Sequence, residues 1–287
     1  MTTNNNDVLD ICMDTEDDEG YVQILSLPDT AAASTAPMTR DVMCLCADKD
    51  RLWGQPEVTV AFLDEFPNDI VEEDVKQMIE AIAHEWTDGT RIRFRFIADP
   101  AVADIRISNK PGGSYSRVGN AARLARAGAE TMNLDLPRDA SARKIQRKAG
   151  HEFGHALGFI HEQSSAAYPF RFDEQKTLAH YAAMGYAEGW VRNNILKRIK
   201  AQYADASPYD CLSIMHYPIP KEIHDGAEDV HARAQLSVVD KLWVKAVYGE
   251  VSPVASVTDE ANRAARRVRL MIKQRSAPQR KQHWEID

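Results

Sequence analysis

Apolar and polar side chains follow two distinct periods in the part of the chain that begins near Trp53. Residues 70–86 place apolar side chains three or four positions apart, as the buried face of an amphipathic helix requires. Residues 91–97 alternate charged and apolar side chains, which is typical of a strand with one buried face. The same reasoning predicts further strands at 58–63, 103–108 and 131–136.

Helical periods dominate the second half of the chain. One helix is predicted to begin near Ser141, with Asp139 or Ser141 as its N-cap, because either side chain can accept a hydrogen bond from the first turn. Further helices are predicted near 173–187, 190–203 and 237–247. Strands that precede helices, instead of alternating with them, indicate an α+β fold.

The two ends of the chain differ in charge. The first 50 residues hold 11 acidic and 2 basic residues, whereas residues 251–287 hold 4 acidic and 8 basic ones. We therefore predict an acidic extension at 1–50, a folded domain at 51–250 and a basic tail at 251–287. The basic side chains of the tail recur like the solvated face of a short helix, so nucleic acid is not an expected partner.

Neither the composition nor the first residues predict a membrane protein or a secreted one. No apolar run approaches the roughly 18 residues that span a bilayer, so no membrane partner is expected. Residues 1–7 lack the basic start and the apolar stretch of a secretory signal, which favours a cytoplasmic protein or export by a non-classical route. Four cysteines among 287 residues do not form a dense disulfide framework, and free thiols are expected.

Residues 151–162 read His-Glu-Phe-Gly-His-Ala-Leu-Gly-Phe-Ile-His-Glu, which contains the spacing of a catalytic zinc site. On a helix, His151 and His155 project from one face, one turn apart. Gly158 can take the left-handed conformation that ends a helix, so the chain can turn back and bring His161 to the same metal. Three imidazoles leave one zinc position open to water, which distinguishes a catalytic site from a structural one.

The glutamate of this motif has a chemical role of its own. Glu152 follows the first histidine and can reach a water at the metal without being a ligand. A bare His-Glu-x-x-His also occurs on helices that merely carry histidines. The added glycine and third histidine complete the longer signature of the metzincin clan, which makes that alternative a remote one.

Residues 213–217 read Ser-Ile-Met-His-Tyr and form a second motif. A lone methionine would more often fill a core. The whole pentapeptide resembles the Met-turn of the astacin family, and residues 151–162 resemble the zinc motif of the same family. The looser likeness extends over residues 53–249. Because no cysteine lies between Cys46 and Cys211, the chain is most similar to the cysteine-poor microbial members.

The resemblance implies a site and an architecture. It implies a metzincin fold with an irregular helical C-terminal subdomain at 159–250, and an N-terminal subdomain at 51–158 that holds a mixed β-sheet and the active-site helix. One Zn²⁺ per chain lies between them, and the tyrosine leaves the metal to donate a hydrogen bond to the oxyanion. The implied zinc ligands are His151, His155, His161 and Tyr217, the general base is Glu152, and the structural residue of the turn is Met215.

The resemblance also implies a protein or peptide substrate. Thr131, Met132, Asn133 and Leu134 resemble the edge strand against which an extended peptide pairs through backbone hydrogen bonds. Such pairing needs chain on both sides of the cut and therefore predicts a metalloendopeptidase. Two other functions stay open, a zinc amidase that acts on a non-protein amide and a zinc-binding protein that has lost hydrolysis.

The resemblance to the astacin family leaves two interpretations open for each of two features, the extension at 1–50 and Glu162. The extension at 1–50 is either a plain extension or a pro-segment that holds the enzyme latent through a carboxylate or thiolate on the metal. Glu162 either contacts a new N-terminus after cleavage or is a simple surface carboxylate. The candidates for the latency ligand are Asp29, Asp41, Cys44 and Cys46.

Overall fold

The computed structural model describes residues 11–13, 46–199, 204–206 and 209–251, all within one compact unit. The strands are β1 (Ile11–Met13), β2 (Cys46–Asp48), β3 (Glu57–Phe62), β4 (Arg93–Phe96), β5 (Ile105–Ser108), β6 (Tyr115–Arg117), β7 (Met132–Asn133) and β8 (Ala204–Ala206). The helices are α1 (Val75–Thr87), α2 (Ala142–Ala156), α3 (Glu174–Ala183), α4 (Glu188–Val191) and α5 (Val238–Tyr248). A π-helical turn, Arg192–Leu196, continues α4 directly.

Six of these strands form one mixed sheet in the order β1-β6-β7-β5-β3-β4. Within it β3 is parallel to β4 and β5, and β5 is parallel to β7. In contrast, β6 pairs antiparallel with β7, and β1 pairs antiparallel with β6. The strands β2 and β8 form a separate two-stranded sheet. The prediction of an α+β fold with a mixed sheet is confirmed.

The main core lies between this sheet and the first two helices. On β3, Val58, Val60 and Ala61 are fully buried, as expected of a strand that is covered on both faces. Phe94 of β4 packs edge-on against Phe153 of α2, with 5.0 Å between the ring centroids. Burial of these large apolar side chains holds α2 against the sheet.

The backbone after α2 is irregular and depends on a partly buried cation. The Arg198 guanidinium donates to the carbonyl groups of Gln163, Ser165 and Phe170, and it lies over the Tyr168 ring. Carbonyl groups outside helices and strands need such partners, and one guanidinium offers five N–H donors. A second apolar cluster surrounds this region, with Tyr181, Val191, Ile195, Tyr217, Ile219, Ile223 and Val230 buried in it.

Most predicted elements overlap the observed ones, but α1 begins later than its pattern indicated. The helix predicted at 70–86 starts at Val75, after the N-cap Asp74. Asn68 explains the delay, because its side-chain oxygen accepts hydrogen bonds from the N–H groups of Ile70 and the next residue. Such local hydrogen bonds hold the chain in a turn where the apolar period alone predicts a helix.

The predicted helix at 190–203 is replaced by shorter pieces. The observed helix α4 begins at Glu188, and its π-helical turn ends at Leu196. The side-chain amide of Asn194 donates to the carbonyl oxygen of Trp190, four residues earlier, at 2.9 Å. This bond competes with the backbone hydrogen bonds that would continue a regular helix.

The edge strand of the sheet is not the predicted one. Thr131, Met132, Asn133 and Leu134 are all buried, and β7 lies inside the sheet between β5 and β6. Their assignment to an edge strand is therefore wrong. The strand β6 lies outside β7, with only the short β1 beyond it. It escaped the sequence analysis because its short, mostly polar sequence shows no apolar alternation.

The boundaries of the predicted domains stay predictions. Residues 46–50 were assigned to the extension, yet β2 lies among them, and the N–H of Asp48 donates to the carbonyl of Gly158 at 3.0 Å. Most of the extension and the tail beyond Val251 lie outside the described residues. In the described part of the chain, no helix combines the length and the apolar character that a membrane crossing requires.

Candidate metal centre

The helix α2 carries the first two histidines of the motif. It begins after Ser141, whose Oγ accepts a hydrogen bond from the N–H of Lys144 at 3.2 Å. Of the two predicted N-caps, Ser141 is therefore the observed one and Asp139 is not. Residues 147–156 are all buried, so the last turns of α2 lie inside the protein, where polar groups need partners.

Backbone carbonyl groups orient the rings of His151 and His155. Nδ1 of His151 lies 2.8 Å from the carbonyl oxygen of Ile214, and Nδ1 of His155 lies 2.8 Å from that of Phe159. A carbonyl oxygen can only accept, so each Nδ1 carries the proton and each Nε2 keeps its lone pair. Contacts of this kind fix the tautomer and orientation of metal-binding histidines.

The backbone turns at Gly158, as predicted, and brings the third histidine to the first two. Gly158 has a φ of +92°, a left-handed conformation that glycine adopts without strain. The N–H of Phe159 then donates back to the carbonyl of Gly154 at 3.1 Å. His161 follows this turn after two residues and faces the same interior space as the histidines of α2.

The Nε2 atoms of the three histidines converge on one point. His151 and His155 are 3.1 Å apart at these atoms, and each lies 3.2 Å from Nε2 of His161. Lone pairs that face one another at this distance repel unless a cation lies between them. Tetrahedral zinc with bonds of about 2.0–2.1 Å places neighbouring nitrogens about 3.3 Å apart, so this donor set fits zinc. Within the described residues, it is the one cluster of three metal-binding side chains.

Burial favours the neutral, metal-binding form of the three imidazoles. The three imidazoles are at most 2% exposed. Burial, followed by the neighbouring imidazoles, holds the pKa of His161 well below its usual range, and the neutral form is the one that binds metal. Glu152, the residue after His151, is fully buried as well. A carboxylate so close to the histidines lies in a medium of low dielectric constant, where its interactions are strong.

The Met-turn packs directly against α2. A side chain at Gly154 would overlap Sδ of Met215, and a side chain at Gly150 would press on Cδ1 of Ile214. The two glycines therefore let residues 213–217 lie close to the helical turns that carry the histidines. This contact places Met215 inside the protein, adjacent to α2. Its role as the structural residue of the turn stays a prediction.

Asp240, in the first turn of α5, holds the Met-turn in position. Its carboxylate accepts hydrogen bonds from Ser213 Oγ at 2.7 Å, from the N–H of Ile214 at 3.0 Å and from the N–H of Ser237 at 2.8 Å. Because the carbonyl of Ile214 contacts His151, the backbone of this one residue connects Asp240 to a predicted zinc ligand. Burial raises the pKa of Asp240 to about 6, despite these hydrogen bonds.

Asp240 was not predicted as a site residue, although its sequence context carries a signal. Ser237 and Asp240 form a capping box, in which each side chain accepts a hydrogen bond from the backbone N–H of the other. The pattern Ser-x-x-Asp before an apolar run predicts such a helix start. What the pattern does not predict is the contact with the Met-turn, which joins residues far apart in the chain.

Tyr217 lies beside the histidines. Its ring centroid is 3.9 Å from that of His161 and 5.7 Å from that of His151. Its backbone N–H donates to Oε1 of Gln163 at 3.3 Å. Gln163 was also missed, because a single polar residue after the motif forms no recognisable pattern. The structure thus brings the predicted ligand Tyr217 into the same cluster as the three histidines.

Glu162 is a buried carboxylate, which removes the interpretation as a surface residue. Its Oε1 accepts a hydrogen bond from the N–H of Asp210 at 2.8 Å, and burial raises the pKa of Glu162 well above its usual range. Of the latency candidates, Cys46 belongs to β2, which pairs with β8. Asp29, Asp41 and Cys44 lie outside the described residues.

Comparison with known proteins agrees with this geometry. The model of the Astacin peptidase family matches residues 46–235. This chain belongs to the astacin family. The family resemblance inferred from the two motifs and the metzincin fold that it implied are therefore confirmed.

Similar proteins include two solved structures and one curated sequence. Myroilysin superposes with a TM-score of 0.66 and 29% identity, covering 72% of this chain and 100% of that chain. High choriolytic enzyme 1, a hatching enzyme zinc-protease from Oryzias latipes (medaka fish), has a TM-score of 0.46 and 18% identity over 73% of this chain and 100% of that chain. The hatching enzyme of Paracentrotus lividus is 27% identical over 135 residues, which are 41% of this chain and 22% of that protein. The chain thus spans about a fifth of the curated relative that it matches.

Proposed function

We propose that this astacin-family chain is a zinc-dependent metalloendopeptidase that holds one Zn²⁺ per chain. The observation that carries the proposal is the convergence of three buried Nε2 atoms, all within 3.2 Å of one another, next to Glu152 on the same helix. Membership of a peptidase family supports the same class of reaction. Three protein nitrogens leave room at a tetrahedral metal for water or substrate.

Glu152 supplies the acid–base chemistry in this proposal. Zinc, when bound, polarises the scissile carbonyl and lowers the pKa of water from 15.7 towards about 7. Glu152 takes the proton of the attacking water, because its carboxylate follows His151 on α2 and is shielded from solvent. It then returns this proton to the leaving amine. The imidazoles of His151 and His155 take no part in the transfer, since their N–H groups face backbone carbonyls.

Tyr217 donates a hydrogen bond to the developing oxyanion. Its ring packs against that of His161, and a phenol hydroxyl can donate a hydrogen bond to an oxyanion. Tyr217→Phe removes only the hydroxyl group. We expect it to lower turnover far more than zinc content. Equal losses of turnover and zinc would instead indicate a purely structural tyrosine.

The corrected sheet order changes where an extended peptide pairs. Both edges of β7 are occupied, so a substrate strand has no access to it. We assign this role to β6, which lies against α2 and follows β7 at the side of the sheet. A strand added there would extend on both sides of the cut, which supports cleavage inside a chain.

In this chain the outer edge of β6 already has a partner. β1 runs antiparallel to it, with Ile11 opposite Arg117 and Met13 opposite Tyr115. A substrate strand would compete with this segment for the same backbone groups. The pairing favours the pro-segment interpretation of the acidic extension. It suggests a block of the peptide-binding edge in addition to, or instead of, a ligand on the metal.

An assay with an internally quenched peptide tests the reaction. The zinc-loaded protein should cleave it, a chelator should stop cleavage, and added zinc should restore it. Glu152→Gln and Glu152→Ala should keep the metal and lose nearly all activity, whereas the matched exchange Asp139→Asn, at an exposed position, should change little. A zinc-loaded Glu152→Ala variant with full activity would overturn the assignment. Activity on a non-protein amide alone would support the amidase alternative.

Two variants of the N-terminal segment test latency. A chain that begins at Cys46 should cleave faster than the full chain, and equal rates would remove the latency proposal. Cys12→Pro removes the backbone N–H of residue 12 and thereby disfavours the pairing of β1 with β6. Cys12→Ala removes only the thiol. Faster cleavage by Cys12→Pro but not by Cys12→Ala would identify strand pairing as the block. Faster cleavage by both would indicate the thiol.

A further inference from the structure

The Tyr217 ring is nearly parallel to two neighbouring rings. The first is that of His151, at 5.7 Å between centroids and an interplanar angle of 15°. The second is that of Trp190, at 6.5 Å and 12°. Trp190 in turn stacks on Tyr186 at 4.3 Å and 26°. The centroids of Tyr217 and Trp190 are thus farther apart than those of Trp190 and Tyr186.

Hydrogen bonds connect the backbone of Tyr217 to the segment that carries Trp190. Gln163 is fully buried, and its Oε1 accepts from the N–H of Tyr217 at 3.3 Å while its Nε2 donates to the carbonyl of Asn194 at 3.3 Å. The Asn194 side chain donates to the carbonyl of Trp190 at 2.9 Å. Three hydrogen bonds therefore connect the backbone of Tyr217 with that of Trp190.

The local backbone supports a specialised role for this segment. Trp190 lies in α4, directly before the π-helical turn Arg192–Leu196. Such turns are rare and occur frequently at functional sites. Trp190 and Tyr186 are only partly buried, although both pack against the apolar cluster that contains Tyr217.

We propose that Trp190 is a positioning residue that receives the phenol ring of Tyr217 when the ring moves away from His161 during the reaction. Gln163 and Asn194 fix the backbone of Tyr217 relative to that of Trp190. In this proposal the moved ring therefore has one position against Trp190, and its hydroxyl has one defined location. This inference rests on the proposed function of Tyr217 and adds a defined end point to its movement. No group other than the phenol ring moves in it.

A double-mutant cycle tests the proposal with the zinc-loaded full chain, or with its N-terminally shortened form if that form is the active one. Trp190→Ala should lower kcat about tenfold and leave KM and zinc content within about twofold, because it affects a step after binding. Trp190→Phe keeps an aromatic face and should restore most of the loss. In a Tyr217→Phe background no hydroxyl needs positioning, so Trp190→Ala should then lower kcat less than about twofold. Equal effects in both backgrounds, or an effect on KM alone, would overturn the proposal.

Leu178→Ala is the matched control. Leu178 packs against the same apolar cluster but belongs to α3. Its truncation should lower stability and should change kcat by the same factor with and without the Tyr217 hydroxyl. If Trp190→Ala does not fold, Trp190→Leu, which preserves apolar volume without a planar face, takes its place in the cycle and should reproduce its kcat loss.

A metal exchange separates the failure of this inference from the failure of the proposed function. A phenolate oxygen bound to Cu²⁺ produces a visible charge-transfer band, so the Cu²⁺ form reports whether Tyr217 contacts the metal. No band in the unaltered chain would refute the ligand role of Tyr217. A band that Trp190→Ala leaves unchanged, while Tyr217→Phe abolishes it, would refute the role of Trp190 alone. We expect Trp190→Ala to strengthen the band, because the ring loses its alternative position.

Discussion

His151 and His155 reach the candidate metal centre from one regular helix, whereas His161 and Tyr217 reach it from irregular backbone. The two histidines of α2 need only helical spacing and two carbonyl acceptors to share a direction. The other two residues depend on a left-handed glycine, on the Met-turn and on buried polar side chains from distant parts of the chain. A helix therefore sets the direction of two predicted ligands, and long-range contacts bring the rest of the site to it.

This difference has a consequence for stability. Residues of α2 are stabilised by the helix itself and by burial against the sheet, which many side chains share. The Met-turn is stabilised by few groups, above all the carboxylate of Asp240 with its three donors. Loss of one such group leaves several buried donors without acceptors, which is costly. The irregular half of the site should thus be the more sensitive to single substitutions.

The largest effect is expected for Asp240→Ala. It would leave Ser213 Oγ and the N–H groups of Ile214 and Ser237 without their acceptor, at a cost of roughly 3–5 kcal/mol in the free energy of unfolding. Zinc affinity should fall as well, because the Ile214 carbonyl that orients His151 loses its support. Urea unfolding and metal titration measure the two effects.

Asp74→Ala is the matched control for Asp240→Ala. Asp74 also caps a helix, α1, but does so on the surface, so its loss should cost only about 1 kcal/mol and should not affect zinc. Similar losses for the two variants would contradict the idea that Asp240 acts on the Met-turn.

A smaller effect is expected for Gly154→Ala, which changes the surface of α2 that packs against the Met-turn. The added methyl group would overlap Sδ of Met215 and press on the Trp86 ring, and overpacking of this kind costs about 1–3 kcal/mol. Zinc affinity should drop with it, since the Met-turn has to move away from α2. Gly189→Ala, with nothing near the added methyl group, should be almost neutral by thermal unfolding. An unchanged zinc affinity in Gly154→Ala would show that this contact does not support the site.

The smallest effect is expected for Ser141→Ala. It removes the N-cap of α2 and should lower the free energy of unfolding by about 1 kcal/mol. Zinc affinity should stay the same, because ten residues or more separate the cap from the histidines and residues 147–150, directly before His151, are buried. A clear loss of zinc affinity would mean that the helical half is no more robust than the irregular half.

Much of the site was readable from local spacing. The four-residue spacing of His151 and His155, the glycine at 158 and the Ser-Ile-Met-His-Tyr motif predicted which residues meet. The sequence left two candidates for the N-cap of α2, Asp139 and Ser141, and the structure shows Ser141. Local patterns were less successful with β6, a polar strand of three residues, and with the helix predicted at 190–203, where Asn194 competes with the backbone.

The sequence by itself indicated the candidate zinc site of this protein, because residue types at helical spacing predict which side chains share one face of a helix. The tertiary structure decided which strand borders β7, that β1 pairs with β6, that Glu162 is buried, and that Asp240 and Gln163 contact residues 213–217. These facts depend on contacts between residues far apart in the chain. Periodicity along a sequence reports which face of an element is apolar, and it does not report which partner covers that face.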